Sequence, residues 1–320
     1  MKNIVVLDAA TMRGDLLRPT FSHCWTSYEL TRTEEEAVAR TKDAHILITN
    51  KVKISADVIA AAGQLELIAV AATGVDIVDL DACRARRVMV CNVRNYATRS
   101  VAEHVLALIF SLARGVTEHH CRTMAGEWVA SNVFSPNMGA IFSVKNMQLG
   151  IVGAGTLGRA TAELAESVGM RIVYAYRNSN ANQREKKDGL QRLLLPELLA
   201  ESDVVSLHCP LTPQTHGLIG AKELALMKPT ALLINTARGA LVESQALVDA
   251  LNSGQLGGAG IDVLSQEPPS NEPLLSCHHP RLLITPHVGW ASTEALRTFH
   301  QQLAENLECF HAGKPQHVVT

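Results

Sequence analysis

Short apolar runs alternate with helical stretches along the chain, and this alternation restricts the fold more than any other feature. The runs 3–8 (NIVVLD), 45–49 (HILIT), 66–72 (ELIAVAA) and 87–91 (RVMVC) are separated by helical stretches at 33–42, 55–62 and 79–86. A continuous apolar run suits a strand buried on both faces, and strands alternating with helices imply a parallel sheet covered by helices. One small α/β unit is therefore expected, ending near Asn95. Residues 100–126 then read as a single long helix, with Val101, Val105, Leu108 and Leu112 at helical spacing. A loop containing Trp128 and Pro136 follows. A second alternating series begins at Met147, with strands expected at 147–152, 171–176, 203–207, 231–235, 259–263 and 282–284. The amphipathic C-terminal helix, about 292–312, is expected to cross back onto the first unit.

The strand at 147–152 runs into Gly153, Gly155 and Gly158, a G-x-G-x-x-G array that opens a helix. This is the context that a dinucleotide fingerprint requires. Gly153 allows a tight turn, Gly155 lets a pyrophosphate approach the backbone, and Gly158 permits close packing of helix on strand. The phosphates would meet the free N–H groups and the positive end of the helix dipole. The alternative is a glycine-rich turn with no ligand. Roughly 20 residues further on, such a site ordinarily carries an acid for the ribose hydroxyls. Here the strand ends at Tyr176, followed by Arg177, with no carboxylate. A guanidinium attracts a 2′-phosphate through charge-assisted hydrogen bonds. NADP(H) is favoured on this ground and NAD(H) stays open; an ordinary solvated arginine is the alternative.

Composition narrows the partners. With 320 residues, about two domains can each bury a core. A net charge of −2 gives no electrostatic argument for nucleic acid or an anionic membrane. No apolar run approaches the roughly 20 residues needed to span a bilayer. The start MKNIVVLDAA is too short in its apolar part for a signal peptide and is interrupted at Asp8. The seven cysteines form no CxxC pair, which reads as reduced thiols in a cytoplasmic protein. His119-His120 and His278-His279 lack further ligands at metal spacing, so no metal site is expected.

Four more segments place polar residues just after an expected strand: SLHCPLTPQTHGLI (206–219), LLINTARGALV (232–242), GAGIDVLSQEPP (258–269) and LLITPHVGWAS (282–292). That edge of an open parallel sheet lines the ligand crevice. Together with the glycine array, these motifs resemble the D-isomer-specific 2-hydroxyacid dehydrogenase family over essentially the whole chain. TPHVGWAS is most similar to its glycerate dehydrogenase (hydroxypyruvate reductase) branch. The resemblance implies two doubly wound parallel-sheet α/β domains. Residues 1–96 plus 289–320 would form the substrate domain. Residues 97–288 would form a larger Rossmann cofactor-binding domain, with nicotinamide and substrate in the cleft between them.

The resemblance also assigns roles. Arg238, Glu267 and His287 are the expected catalytic set. A guanidinium fork can clamp the carboxylate and keto oxygen of a 2-oxo acid, and an imidazolium can protonate the developing alkoxide. A nearby carboxylate stabilises that imidazolium and fixes its tautomer. Taken alone, Arg238 could be a solvated loop residue, His287 structural, and Glu267 a turn residue before Pro268-Pro269. Thr73, Gly74 and Val75 match the family's substrate loop; an ordinary turn capped by Asp76 is the alternative. Cofactor contacts are expected from Thr98, Thr156, Leu157, Tyr176, Arg177, Cys209, Pro210, Thr236, Ala237, Arg238, Asp262 and His287, beside the three glycines. Asp262 is expected to bond the nicotinamide amide.

The implied reaction is NAD(P)H-dependent reduction of a small 2-oxo acid, hydroxypyruvate to D-glycerate or glyoxylate to glycolate. The apolar helix at 100–115 is expected to help form a homodimer, or else to pack only on its own domain. Two other readings stay open. One is a dehydrogenase for a bulkier 2-oxo acid; the other is a cofactor-sensing binding protein like the corepressors related to this family.

Overall fold

The computed structural model describes residues 1–176 and 189–320. They form two compact units, one of Met1–Ala97 with Ser292–Thr320 and one of Thr98–Ala291.

The first unit contains strands β1 (Lys2–Val6), β2 (His23–Ser27), β3 (Ile46–Thr49), β4 (Leu67–Val70) and β5 (Met89–Asn92). Its helices include α1 (Glu34–Thr41), α2 (Ala56–Ala61), α3 (Leu80–Arg86) and the C-terminal helix Thr293–His311. The strands are parallel, in the order β2-β1-β3-β4-β5. Successive side chains along a strand point to opposite faces. Ile4 and Val6 therefore join a cluster with Ile46, Ile48, Leu67 and, from the C-terminal helix, Phe299, Leu303 and Leu307. Val5 and Leu7 join the opposite cluster, with Leu47, Ile68, Val58 and Ile59. Both faces are covered, so both alternating sets must be apolar. Strand β2 departs from the sequence expectation. Its sequence HCWTS contains no apolar run because it is an edge strand, mostly exposed, with β1 as its neighbour. Helix α3 is capped by Asp79, whose side chain accepts from the Ala82 N–H at 2.9 Å; the cap considered at Asp76 is not the one used.

The second unit opens with α4 (Thr98–Arg114), α5 (Val116–Met124) and α6 (Glu127–Ser131). Its strands are β6 (Gln148–Val152), β7 (Arg171–Ala175), β8 (Arg192–Leu193), β9 (Val204–Leu207), β10 (Leu232–Asn235), β11 (Gly258–Ile261) and β12 (Leu282–Ile284). Between them run α7 (Thr156–Ser167), α8 (Leu195–Glu201), α9 (Ala221–Leu226) and α10 (Ser244–Asn252). The strand order is β12-β11-β10-β9-β6-β7-β8, again parallel. Leu108, Ile109 and Leu112 of α4 and Ala162 and Ala165 of α7 pack one face against Leu149, Ile151 and Ile234. Leu198, Leu224 and Leu247 of α8, α9 and α10 cover the other face against Val205, Leu207 and Leu233. Two doubly wound parallel sheets are thus present, as expected. The strand order reverses between β6 and β9, and the chain leaving β6 enters the glycine array at that switch point.

The single long helix expected over 100–126 is broken. Gly115 adopts φ +61°, a left-handed conformation that ends α4 and starts α5 in a new direction. Helix α6 lies where a loop was expected. Val101, Val105, Leu108, Ile109 and Leu112 of α4 are buried, so its apolar stripe serves its own unit. Exposed large apolar side chains gather in the segment after it, at Val116, Met124, Trp128, Val129, Val133, Phe134 and Ile141, while Phe110 is the exposed one on α4 itself. Among the described residues no single helix is long and apolar enough to cross a membrane. The second unit runs to Ala291, and hydrogen bonds tie its residues 287–289 to Asp262.

Candidate active site

Each glycine of the array has a different reason to be there. At Gly153, φ is +115° and an added Cβ would lie 2.6 Å from the His208 carbonyl carbon and 2.7 Å from the Cys209 nitrogen. At Gly158 a Cβ would lie 2.0 Å from the Gly153 carbonyl oxygen, so α7 can sit on β6 only if this residue has no side chain. At Gly155 a Cβ would meet nothing within 4 Å, and φ is an ordinary −77°. Among the described residues nothing requires glycine at 155. Gly155 is also the N-cap of α7, with no side-chain cap hydrogen bond, which leaves N–H donors at a positive helix end. An uncrowded backbone with free donors fits an anion such as a dinucleotide pyrophosphate. Thr156 and Leu157 are the first residues of α7.

The loop after β9 adjoins this array, and the loop after β10 lies one strand further along the sheet. Cys209 and Pro210 follow β9; the Pro210 carbonyl is tied to Thr215 Oγ1 at 2.7 Å. Burial raises the Cys209 thiol pKa, which keeps it protonated near neutral pH. After β10, the buried Asn235 braces the turn with both ends of its amide. Its Oδ1 accepts from the Ala237 N–H at 3.1 Å, and its Nδ2 donates to the Arg238 carbonyl at 2.8 Å. The Thr236 hydroxyl is buried and has no hydrogen-bond partner among the described residues. Gly239 presses on the next loop: a Cβ there would lie 2.0 Å from the Leu264 carbonyl carbon. The backbone beside Arg238 is therefore seated on the backbone beside Leu264.

Leu264 continues this sequence of contacts. Its N–H donates to Glu267 Oε1 at 2.9 Å, while Glu267 Oε2 lies 2.6 Å from His287 Nδ1. A carboxylate only accepts, so His287 Nδ1 carries a proton and Nε2 is left for a reacting partner. The pair is partly open, with side chains 27% (His287) and 34% (Glu267) exposed. Glu267 and His287, twenty residues apart, are thus brought into direct contact.

His287 has φ +53°, unusual for a residue with a side chain. Asp262 holds that turn. The Asp262 carbonyl accepts the His287 N–H at 2.8 Å, and its two carboxylate oxygens accept the N–H groups of Val288 and Gly289, each at 2.9 Å. Thr285 Oγ1 donates to Asp262 Oδ1 at 2.5 Å. Burial alone would raise the Asp262 pKa. Hydrogen bonds from His104, Thr285, Val288 and Gly289 outweigh burial and hold it below the usual carboxylate value. Both Asp262 oxygens thus face the His287 turn, a role that the expected amide contact did not anticipate. Trp290 Nε1 donates to the His287 carbonyl at 2.9 Å and braces the turn from its far side.

The remaining expected residues are dispersed. Thr98 begins α4. Tyr176 follows β7, its N–H on the Leu193 carbonyl at 2.9 Å. Arg177 lies outside the described residues. Thr73, Gly74 and Val75 follow β4 in the first unit; the Thr73 carbonyl accepts from Asn92 Nδ2 at 2.7 Å. Sequence reasoning missed Asn235, Ser100, His104 and Thr285. A fixed offset, at the end of β10 and two residues before Ala237, ties Asn235 to its turn; the others act only across long stretches of chain.

The chain has relatives among known proteins. The family described as D-isomer specific 2-hydroxyacid dehydrogenase, NAD binding domain, matches residues 106–289. The chain is 43% identical to a glycerate dehydrogenase of Methylorubrum extorquens over 99% of both chains. It is 34% identical to a hydroxypyruvate reductase of Blautia hydrogenotrophica, covering 89% of this chain and 88% of that one. A crystal structure of a Thermus thermophilus protein superposes with a TM-score of 0.85 at 35% identity, over 99% of this chain and 100% of the other.

Proposed function

Because this chain belongs to the D-isomer-specific 2-hydroxyacid dehydrogenase family, we propose that it reduces hydroxypyruvate to D-glycerate and glyoxylate to glycolate, using NADPH in preference to NADH. The observation that carries the reading is the Glu267–His287 pair, oriented so that the imidazole has one nitrogen fixed and one available. A nicotinamide dinucleotide held at the glycine array would supply the hydride that reduces C2 of the oxo acid. His287 Nε2 gives its proton to the carbonyl oxygen as the alkoxide develops, and the ring then regains a proton from solvent. Glu267 holds Nδ1–H and stabilises the charged imidazole. Arg238 clamps the substrate carboxylate and keto oxygen with its planar fork. Thr73, Gly74 and Val75 supply further donors to the substrate carboxylate, a role that rests on the family resemblance alone.

The glycine array, Thr156, Leu157, Thr236 and the Cys209-Pro210 turn hold the dinucleotide. The NADPH preference rests on the residues at the end of β7, where Tyr176-Arg177 stand and an acid is missing. Self-association into a homodimer is supported by the exposed apolar side chains between Val116 and Ile141. Seven free cysteines favour a reducing, cytoplasmic setting.

The test is NADPH and NADH oxidation, followed by absorbance, with hydroxypyruvate, glyoxylate and phenylpyruvate. Hydroxypyruvate and glyoxylate should turn over fastest. His287→Ala should lower kcat by about two to four orders of magnitude with cofactor affinity retained. Absence of turnover with every 2-oxo acid sinks the enzymatic reading, and a clear preference for phenylpyruvate replaces the substrate.

A further inference from the structure

Ser100 and His104 stand one turn apart on α4, and both bond the segment that carries His287. Ser100 Oγ donates to the Gly289 carbonyl at 2.7 Å. His104 Nε2 lies 2.9 Å from Thr285 Oγ1 and 3.4 Å from Asp262 Oδ1. The proton inventory fixes the direction of these bonds. The single hydroxyl proton of Thr285 goes to Asp262, which as a carboxylate can only accept. Thr285 Oγ1 is therefore an acceptor toward His104, and His104 carries a proton on Nε2. A directed chain results: His104 to Thr285, Thr285 to Asp262, with Asp262 gathering the N–H groups of Val288 and Gly289. The His104 ring also packs against Gly289, where an added Cβ would lie 3.2 Å from ring carbon Cδ2 and 3.0 Å from Asp262 Oδ2.

We propose that His104 is a positioning residue for His287, acting through Thr285 and Asp262 to hold residues 285–289 in the left-handed turn that aims the imidazole. The inference rests on the reading of His287 as proton donor. It gives a purpose to a polar side chain set beside the buried Val101 and Val105 of α4. A mere space-filling role for His104 would require bulk at that position and would be indifferent to its N–H.

His104→Leu keeps bulk and removes the donor; His104→Gln keeps an N–H at the same reach. Thr285→Val removes the hydroxyl at constant shape, and Thr285→Ser keeps it. Misplacement of a reacting group by about 1 Å costs on the order of a hundredfold. His104→Leu and Thr285→Val should each lower kcat by roughly 10- to 100-fold, with NADPH Kd within about twofold of wild type. His104→Gln and Thr285→Ser should recover most of the loss, and the double variant His104→Leu/Thr285→Val should be no worse than the poorer single one. Cofactor binding shows that each variant is folded, and Thr285→Val serves if His104→Leu does not fold. Wild-type kcat in Thr285→Val, equal losses in His104→Leu and His104→Gln, or additive losses in the double variant overturn the proposal. His287→Ala is measured alongside: a dead His287→Ala with active His104 variants rejects this inference alone, whereas an active His287→Ala rejects the reading beneath it.

Discussion

Gly158 touches Gly153 so closely that a Cβ on the first would stand 2.0 Å from the carbonyl oxygen of the second, whereas Gly155 between them has open space on its Cβ side. The array thus separates into two glycines required by the fold and one that no described residue crowds. Gly158→Ala should force α7 away from β6 and cost about 1–3 kcal/mol, the range for overpacking, read as a lower midpoint in thermal unfolding. Gly155→Val should leave that midpoint nearly unchanged and weaken dinucleotide binding at least about tenfold, or 1.4 kcal/mol. A Gly155→Val variant that binds NADPH normally would remove the pyrophosphate from this loop.

Arg238 allows a separate test, because lysine preserves charge and loses the planar fork. Arg238→Lys should reduce kcat/KM for 2-oxo acids by roughly 10- to 100-fold, matching about 1.5–3 kcal/mol for a charged hydrogen bond. Steady-state kinetics should show both a raised KM and a lowered kcat. Unchanged kinetics would make the residue structural.

The cofactor preference turns on two adjacent residues. Arg177→Ala should weaken NADPH binding by about 1.5–3 kcal/mol and leave NADH nearly unaffected, since NADH has no 2′-phosphate. Tyr176→Asp should favour NADH by restoring a carboxylate for the ribose hydroxyls. Dissociation constants for both cofactors decide the matter: a wild type that already prefers NADH, or equal losses in Arg177→Ala, ends the NADPH assignment.

His208 gives the second unit an acid-sensitive component. Burial pushes its pKa down from 6.5 to about 4, and Ser206 Oγ meets its Nε2 at 2.9 Å. The unfolded chain takes up a proton below about 6.5 that the folded chain refuses until about 4. Stability should therefore be level above neutrality and fall as pH drops through that window, by at most about 3 kcal/mol from this group. His279, also lowered by burial, adds in the same direction. His208→Gln should flatten the dependence of the unfolding midpoint between pH 7 and 4. An unaltered slope would assign the effect to other groups.

Self-association should depend on the exposed apolar side chains of the segment after α4. Phe134 is 94% and Val129 87% exposed. If they meet a second copy, Val129→Glu/Phe134→Glu should convert a dimer to a monomer in sedimentation without lowering the unfolding midpoint at low protein concentration. A wild type that sediments as a monomer removes the interface.

Legibility from sequence followed the physics of burial. Strands such as β3, covered on both faces, announce themselves as apolar runs; β2 carries Thr26 and Ser27 on an exposed edge and left no signal. The single helix read over 100–126 ran past Gly115, because the spacing of Val101, Val105, Leu108 and Leu112 records an apolar face and not where φ turns positive. Glu267 and His287 were paired by family resemblance and not by spacing. The His104–Thr285 bond spans 181 residues and joins two side chains with no local pattern, so only the folded chain reveals it.

The first unit is built from both ends of the chain, and this sets an order in time. Phe299, Leu303 and Leu307 complete the layer over Ile4, Val6, Ile46 and Leu67. During synthesis, β1 through β5 emerge first yet lack that cover until residues 292–320 follow. The second unit, continuous in sequence, has all of its own segments once residue 291 is made. The later-made segment thus closes the earlier-made sheet, so a released chain that stops at residue 291 should carry a protease-resistant second unit and a digestible first one.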